Sequence, residues 1–314
     1  MFPHIFLQKI KTMKIITSIK LFTILSIIFV LLGCAQKEII VPPITKTPTN
    51  NKLTGKIVWH DLLTYDVESV KDFYSGLFGW KYDNSADPSG LYTTILFNGN
   101  PIGGIIHLEK KDGETNYASQ WMEYISVDDV DGVFQEVKKQ NCKVYREPFD
   151  IMNRGRIAVF ADTRGALIAI VNSSSGDPED VEPIYDSWLW DELLTDNINE
   201  SLTFYKELFG YETELFKTQT DEDYHILRDK DRRRAGVIQV PFEDVKPNWL
   251  PFIAVKDPVE VENKVEGLGG TIILGTEGIA GKNSVVLADP SGAVFAITKW
   301  PFPKEIMDKL NEKN

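Results

Sequence analysis

Cysteine and histidine are scarce in this sequence of 314 residues, which has two of the first and four of the second. Its two cysteines cannot form a disulfide framework, and they lack the spacing of a zinc knuckle. The 34 lysines and arginines are outnumbered by 46 acidic residues, which gives a net charge of -12. This balance argues against a nucleic-acid partner held by phosphate contacts. The sequence also lacks a phosphate-binding glycine loop, a dinucleotide fingerprint and a nucleophile triad.

An apolar run from Leu21 to Leu32 follows a lysine-containing N-terminus that has no acidic residue. Its length fits the hydrophobic region of a signal peptide and is short for a transmembrane helix. The run ends in Leu31-Leu32-Gly33-Cys34, which resembles a bacterial lipobox. We therefore predict a signal peptide over residues 1–33 and lipid attachment to Cys34.

The residues after Cys34 extend this lipoprotein prediction. Residues 34–55 are rich in proline, threonine and asparagine and lack a periodic apolar face, which is typical of a tether. No aspartate follows the cysteine, and in the diderm lipoproteins that this resembles, that implies outer-membrane sorting with the body facing the periplasm. The true start, Met1 or Met13, stays open. An uncleaved signal anchor or a plain secretory signal is the alternative.

The rest of the chain contains an internal repeat. Trp59-His60-Asp61-Leu62-Leu63-Thr64 is echoed by Trp190-Asp191-Glu192-Leu193-Leu194-Thr195, at an offset of 131. Phe73-Tyr74 with Leu77-Phe78-Gly79 is echoed at the same offset by Phe204-Tyr205 with Leu208-Phe209-Gly210. The repeat predicts two domains, at 56–172 and 185–301, with a linker over 173–184 and a charged tail over 302–314.

Each of these two lobes is predicted to contain a strand–helix–three-strand unit twice. In lobe one, a strand over 57–64 precedes a helix that Asp66 caps and Gly79 ends. The second unit begins with a strand near 121–127. The predicted fold class is α+β, with paired βαβββ units that form a cupped mixed sheet in each lobe and helices outside. We expect the run Arg232-Arg233-Arg234 to be a solvated turn.

This pattern resembles the vicinal oxygen chelate superfamily, which includes glyoxalases, bleomycin- and fosfomycin-resistance proteins and extradiol dioxygenases. The resemblance covers nearly all of residues 57–300. It rests on the Phe-Tyr and Leu-Phe-Gly helix of each lobe and on an Ala-Asp turn before each last strand, at Ala161-Asp162 and Ala288-Asp289. The tandem layout is similar to a glyoxalase-like subgroup, and it implies a small-molecule ligand in a cup.

The ligand points of metal-using relatives are poorly matched here. The resemblance places them at Trp59, His107, Met122 and Ala169 in lobe one and at Trp190, Gln239, Leu250 and Ala296 in lobe two. An indole has no available lone pair, and alanine and leucine have no donor atom. One ligand in each lobe cannot hold a catalytic ion, so we expect no metal and no other cofactor. A non-standard set drawn from Asp61, Glu123 and Glu192 is the alternative.

A tryptophan and an acid recur two residues apart, as Trp59 with Asp61 and Trp190 with Glu192. Strand period two places both members of each pair on one face. An acid beside an indole in a partly apolar cup is expected to have a raised pKa, which suits a general acid or base. Asp61 and Glu192 are therefore the candidate catalytic residues, and a structural role as acceptors of backbone amides is the alternative. The candidate ligand-binding residues are Trp59, Tyr124, His107, Trp190, Gln239 and Phe252.

Three functions stay open at this point. The first is an envelope-anchored protein whose metal-free cups bind a small apolar or aromatic molecule. The second is a metal-independent lyase, isomerase or hydroxylase-like enzyme that uses Asp61 or Glu192. The third is a scaffold with degenerate cups, in which each tryptophan fills the space of a lost metal. The predicted partners are a small molecule and, through lipid on Cys34, a membrane.

Overall fold

The computed structural model describes residues 40–87, 89–109, 119–217, 223–230, 232–240, 245–276 and 283–301. Within these ranges the chain forms two eight-stranded mixed sheets, one in each lobe. The predicted α+β fold with two tandem domains is thereby confirmed. In this part of the chain, no helix is long and apolar enough to cross a membrane. The predicted signal peptide, Cys34 and the tail over 302–314 lie outside the described residues.

Lobe one contains strands β1 to β8 and helices α1 and α2. In chain order they are β1 Ile57–Thr64, α1 Val67–Phe78, β2 Lys81–Asp83, β3 Tyr92–Phe97, β4 Asn100–His107, β5 Gln120–Ser126, α2 Val130–Lys139, β6 Val144–Ile151, β7 Gly155–Ala161 and β8 Leu167–Ser173. The sheet order is β2-β3-β4-β1-β5-β8-β7-β6. Strand β1 is central, parallel to β4 and antiparallel to β5.

Lobe two repeats this layout with strands β9 to β16 and helices α3 and α4. In chain order they are β9 Trp188–Thr195, α3 Ile198–Phe209, β10 Glu212–Lys217, β11 Asp223–Asp229, β12 Arg232–Gln239, β13 Asn248–Val255, α4 Pro258–Val265, β14 Thr271–Leu274, β15 Ser284–Ala288 and β16 Val294–Lys299. The sheet order, β10-β11-β12-β9-β13-β16-β15-β14, is that of lobe one. The sequence repeat is therefore a structural repeat.

Local chemistry fixes the ends of the two equivalent helices. Asp66 and Asn197 each accept a backbone amide of the first turn with their side chains, at α1 and α3 respectively. Gly79 and Gly210 end the same helices with φ of 70° and 71°. Because a Cβ is disfavoured in this left-handed conformation, glycine stops the helix and turns the chain into the next strand.

The helices of each lobe lie outside its own cup, and the helix-bearing faces of the two sheets cover each other. Helix α1 packs with α4 of the other lobe, and α2 packs with α3. Leu62 of β1 lies in the first of these cores and Leu193 of β9 in the second. Much of the apolar surface of both sheets is therefore buried between the lobes.

The two motifs of the repeat contact each other across the lobes. Tyr74 of α1 donates to Asp289 Oδ2 at 3.1 Å, and Tyr205 of α3 donates to Asp162 Oδ2 at 3.0 Å. Each tyrosine belongs to the Phe-Tyr helix of one lobe and each aspartate to the Ala-Asp turn of the other. Burial raises the pKa of both aspartates. These reciprocal hydrogen bonds fix one lobe against the other.

Residues 40–55, which fall in the predicted tether, run along lobe one and the start of the linker that follows it. Val41 and Ile44 are buried there. The Thr49 amide donates to the Ser175 carbonyl at 2.9 Å, and the Leu53 amide donates to an Asp177 carboxylate oxygen at 2.6 Å. Composition alone does not reveal this docking, because only a few apolar residues of the segment are buried against the rest of the protein.

The linker over 173–184 is bonded to both lobes. Asp180 pairs with Lys56 of lobe one at 2.9 Å and with Arg234 of lobe two at 2.8 Å. The Arg234 side chain is only 6% exposed, and Arg233 pairs with Glu214 at 2.7 Å. The expected solvated turn at these arginines is therefore wrong, because they begin strand β12 and each of them pairs with an acidic residue; the Arg232 side chain, 65% exposed, is the most solvated of the three.

Candidate functional site

Each sheet carries a Trp–acid–Tyr cluster on its cup face, which we define as the face opposite the helices. In lobe one, Trp59 Nε1 and the Tyr92 hydroxyl each donate to Asp61 Oδ1 at 2.8 Å. The Tyr124 hydroxyl donates to Asp61 Oδ2 at 2.7 Å. Asp61 is buried, and both of its carboxylate oxygens are satisfied by neighbouring side chains.

Arg154 and the N-terminal segment complete the cluster of lobe one. The Arg154 guanidinium lies 4.0 Å from the centroid of the Trp59 ring and donates from Nη2 to the Tyr92 hydroxyl at 3.0 Å. Its Nε donates to the Pro42 carbonyl at 3.2 Å. Arg154 is 2% exposed, so a buried cation stands near the buried acid. Because Ile44 packs on the same face, the protein's own side chains fill this cup.

Lobe two keeps the arrangement with fewer donors. Trp190 Nε1 donates to the Tyr224 hydroxyl at 3.0 Å, and Tyr224 donates to Glu192 Oε1 at 2.8 Å. Glu192 Oε2 is buried and has no hydrogen-bond partner among the residues that the structure describes. Phe252 pairs with Trp190 in the sheet as Tyr124 pairs with Trp59 in lobe one. The loss of one hydroxyl at this position leaves the Glu192 carboxyl under-bonded.

The environment of Glu192 changes its acidity. Burial raises the pKa of Glu192 to about 8; the charge of Asp191 adds to the rise, and the Tyr224 hydrogen bond opposes it. The direction agrees with the raised pKa that the Trp–acid pattern predicts for the acid of lobe two. A carboxyl with this pKa is mostly protonated at pH 7 and can exchange a proton near neutrality, as a general acid or base must.

Two glycines make room for the tyrosine hydroxyls. Gly104 of β4 pairs with Asp61, and Gly236 of β12 pairs with Glu192, in equivalent parallel registers. A Cβ at Gly104 would overlap the Tyr92 hydroxyl, and a Cβ at Gly236 would overlap the Tyr224 hydroxyl. Each cluster therefore depends on a residue without a side chain on the neighbouring strand.

The remaining predicted ligand-binding residues are divided between the cup faces and the strand ends. Four of them are buried on the cup faces: Trp59, Tyr124, Trp190 and Phe252. His107 and Gln239 end β4 and β12, and both are exposed. Gln239 Nε2 donates to the Asp196 carbonyl at 3.2 Å. The structure therefore places four of the six candidates on the cup faces, where the acids lie, and two at exposed strand ends.

The metal used by members of the family that the sequence resembles does not fit the residues at its expected ligand points. Met122 and Ala169 in lobe one, and Leu250 and Ala296 in lobe two, belong to the apolar clusters of the cup faces. The residues with a usable donor atom at these points are His107 and Gln239, one in each lobe and both exposed. A catalytic ion needs three or four convergent ligands.

The sequence prediction missed three residues of these clusters: Tyr92, Tyr224 and Arg154. The two tyrosines recur at an offset of 132, as Gly104 and Gly236 do, so the repeat contained a usable signal. Arg154 lies in the turn between β6 and β7. The composition of a turn gives no sign that its arginine points inward.

Comparisons with known proteins agree with this fold. Residues 56–170 match the family model described as the Glyoxalase/Bleomycin resistance protein/Dioxygenase superfamily. The chain is 30% identical over 250 residues to "Putative glyoxylase CFP32" of Mycobacterium tuberculosis, covering 79% of this chain and 95% of that protein. It is also 30% identical over 260 residues to "Anthracycline biosynthesis protein DnrV" of Streptomyces peucetius, covering 78% of this chain and 93% of that protein.

Solved structures share the fold at low sequence identity. The Mn(II)-bound glyoxalase from Novosphingobium aromaticivorans aligns with a TM-score of 0.54 at 16% identity, covering 79% of this chain and 83% of that chain. The 2,2',3-trihydroxybiphenyl 1,2-dioxygenase from Sphingomonas wittichii strain RW1 aligns with a TM-score of 0.54 at 14% identity, covering 79% and 91%. With the family model and the relatives, the tandem fold shows that the chain belongs to the glyoxalase/bleomycin resistance protein/dioxygenase superfamily.

Proposed function

We propose that this glyoxalase-like protein binds a small planar molecule at the cup face of lobe two, with Glu192 as the polar contact. The observation that carries the proposal is Glu192 Oε2, a buried carboxyl oxygen with no partner in the described part of the chain. An unsatisfied buried polar group costs about 1–3 kcal/mol. A ligand that supplies the missing partner would offset this cost.

The surroundings of Glu192 favour an apolar, aromatic ligand. Trp190, Phe216 and Phe252 belong to the apolar cluster of this face. By analogy with stacking of bases, each aromatic wall contributes about 1–3 kcal/mol to holding a flat molecule. Because the pKa of Glu192 is about 8, its carboxyl is protonated at pH 7 and can donate to a carbonyl oxygen. The name of the anthracycline-biosynthesis relative supports this ligand class.

Lobe one supports the proposal as an internal comparison. There Tyr124 supplies the hydroxyl that Phe252 lacks, and Arg154 supplies a buried positive charge. Its cup therefore matches the degenerate, filled cup that the sequence left open as an alternative. Because Glu192 is fully buried and Trp190 is 7% exposed, a ligand of lobe two must displace side chains that cover the carboxyl.

Binding is tested with a hydroxyanthraquinone, a planar aromatic carbonyl compound that quenches tryptophan fluorescence. We expect saturable quenching of the wild-type chain and about tenfold weaker binding by Glu192→Leu, because leucine has a similar size and no group that can donate to the ligand. Trp190→Ala should weaken binding as well, and Glu212→Gln, at an exposed position of β10, should not. The absence of saturable quenching, with a loss of about 3–5 kcal/mol in Trp190→Ala, would identify the cup as filled core.

A metal-independent enzyme is the second candidate, and the raised pKa of Glu192 is the observation that favours it. A general acid or base works best with a pKa near the working pH. Asp61 is less suited to this role, because three donors already occupy its two oxygens. Chemical conversion of a bound compound, abolished in Glu192→Gln, would distinguish catalysis from binding alone.

We also propose that the protein is anchored in the bacterial envelope through lipid on Cys34. Stable anchoring needs about two acyl chains, which lipoprotein maturation supplies. In Cys34→Ser we expect an unprocessed precursor that no longer behaves as a lipidated species, measured by detergent partitioning and intact mass. Cys142→Ser is the matched control and should be processed normally. A wild-type chain that is cleaved without added lipid mass would refute the proposal.

A further inference from the structure

A second cluster of titratable side chains lies on the opposite face of the same central strands, at the seam between the lobes. His60 Nε2 of β1 is 2.8 Å from Asp191 Oδ1 of β9. Glu123 of β5 is paired with His60 in the sheet of lobe one. Each of the three residues offers one ligand atom within 4.8 Å of the other two. All three are buried, with exposures of 4%, 6% and 0% for His60, Asp191 and Glu123.

Glu123 is the unusual member of this seam cluster. Both of its carboxyl oxygens are buried without a hydrogen-bond partner in the described ranges, and so is Nδ1 of His60. The repeat explains why Glu123 lacks a partner. Glu123 pairs with His60 in lobe one, and at the equivalent position of lobe two Asp191 pairs with Pro251, which has no polar side chain. Burial and the charge of Asp191 raise the pKa of Glu123. A carboxyl in this position needs either a proton or a cation.

We propose that His60, Glu123 and Asp191 bind one divalent transition-metal ion of the zinc class. One imidazole nitrogen and two carboxylate oxygens are a donor set that suits Zn²⁺. With bonds of about 2.0–2.2 Å, tetrahedral ligands lie about 3.3–3.6 Å apart, so modest side-chain movements bring the three atoms to that spacing. Two carboxylates, a neutral imidazole and a divalent ion sum to zero charge. The ion would remove the cost of an unpaired buried acid.

The ion would connect the two halves of the molecule. His60 and Glu123 belong to lobe one, and Asp191 belongs to lobe two. Strand alternation turns His60 away from Asp61 and Asp191 away from Glu192, so the seam cluster is separate from both cups. The proposed metal site does not depend on the proposed function of lobe two. Because all three ligands converge only in the assembled lobes, binding should stabilise the folded chain.

The metal itself is the first probe. The full chain is produced in zinc-supplemented medium, purified without a histidine tag and analysed by elemental mass spectrometry. We expect about one zinc ion per chain in the wild type and less than about a tenth of that in Glu123→Gln and His60→Asn. Glu192→Gln is the matched control, since it neutralises a buried and partly unpartnered carboxyl on the other sheet face. It should retain the zinc.

A spectroscopic readout keeps the test independent of stability. Trp188 stacks on His60 with ring centroids 4.2 Å apart. Cobalt(II) at the seam should quench part of the tryptophan fluorescence, and Trp188→Phe should bind the same amount of cobalt with less quenching.

Zinc should raise the unfolding temperature of the wild type and not of Glu123→Gln. The proposal is overturned if the wild type takes up neither zinc nor cobalt, or if folded Glu123→Gln binds as much metal as the wild type. A metal-free wild type that Glu123→Gln stabilises would show that Glu123 holds a proton instead.

Discussion

Replacing Arg154 with methionine is expected to destabilise the protein by about 3–5 kcal/mol, the range for breaking a buried charge network from one side. Methionine keeps an apolar stem of similar length and removes the guanidinium. The Trp59 ring, the Tyr92 hydroxyl and the Pro42 carbonyl then lose their contacts with it. Asp61 stays buried without that positive charge nearby. The free energy of unfolding, measured in urea, gives the loss directly.

Arg156→Met is the matched control for this substitution. Arg156 lies two residues further along, pairs with Asp131 at 2.6 Å and has a side chain that is 35% exposed. Because exposed ion pairs contribute about 0–1 kcal/mol, its loss should cost less than about 1 kcal/mol. Adding Asp61→Asn to Arg154→Met should cost less than the sum of the single changes, since the two sites share one network. Equal losses in the free energy of unfolding for Arg154→Met and Arg156→Met would show that the charge of Arg154 does not stabilise the cup of lobe one.

The arrangement of strands and helices could be predicted from the sequence because its signals are local. Gly79 and Gly210 end helices that Asp66 and Asn197 begin, and each of these residues acts through its own backbone neighbourhood. The repeat then doubled every local signal. Period two also placed each Trp–acid pair on one strand face, where the two Trp–acid–Tyr clusters lie.

The hydrogen-bond partners of the acids could not be predicted in the same way, because they come from distant parts of the chain. Asp61 receives donors from Tyr92 and Tyr124, which are 31 and 63 residues away in sequence. Arg154 is 62 residues from the Tyr92 that it contacts. Sheet order, and not sequence distance, brings them together. Tyr92 and Tyr224 recur at the same offset as Gly104 and Gly236, so the repeat could have revealed these two tyrosines. No such signal marks Arg154.

The contact between the lobes was also beyond the local signals. The Phe-Tyr helix and the Ala-Asp turn identify each lobe separately, yet Tyr74 bonds to Asp289 of the other lobe. Likewise, strand alternation places His60 on the helix side, but only the packing of the lobes places it beside Asp191. A sequence repeat shows that two units are alike. It does not show which faces of the units meet.

Replacing Glu192 with glutamine is expected to remove a pH-dependent loss of stability between about pH 4.5 and pH 8. Burial raises the pKa of this carboxyl from 4.5 to about 8 in the folded chain. In that interval the folded chain holds a proton that the unfolded chain has released, so stability falls as pH rises. The slope from this one group is at most about 1.4 kcal/mol per pH unit. Below pH 4.5 both states are protonated, and the stabilising contribution is fully present.

The measurement is urea unfolding of the wild type and Glu192→Gln between pH 5 and pH 8. Other titrating groups, including Asp162 and Asp289, are common to both proteins and cancel in the difference. The free energy of unfolding of Glu192→Gln, relative to that of the wild type, should rise by about 2–3 kcal/mol over two pH units near neutrality. Phe252→Tyr should reduce the wild-type slope, because it restores the hydroxyl that Tyr124 gives to Asp61 and stabilises the ionised carboxyl. Parallel stability curves for the wild type and Glu192→Gln would mean that Glu192 is ionised in the folded protein, and its role as a buried proton donor would be lost.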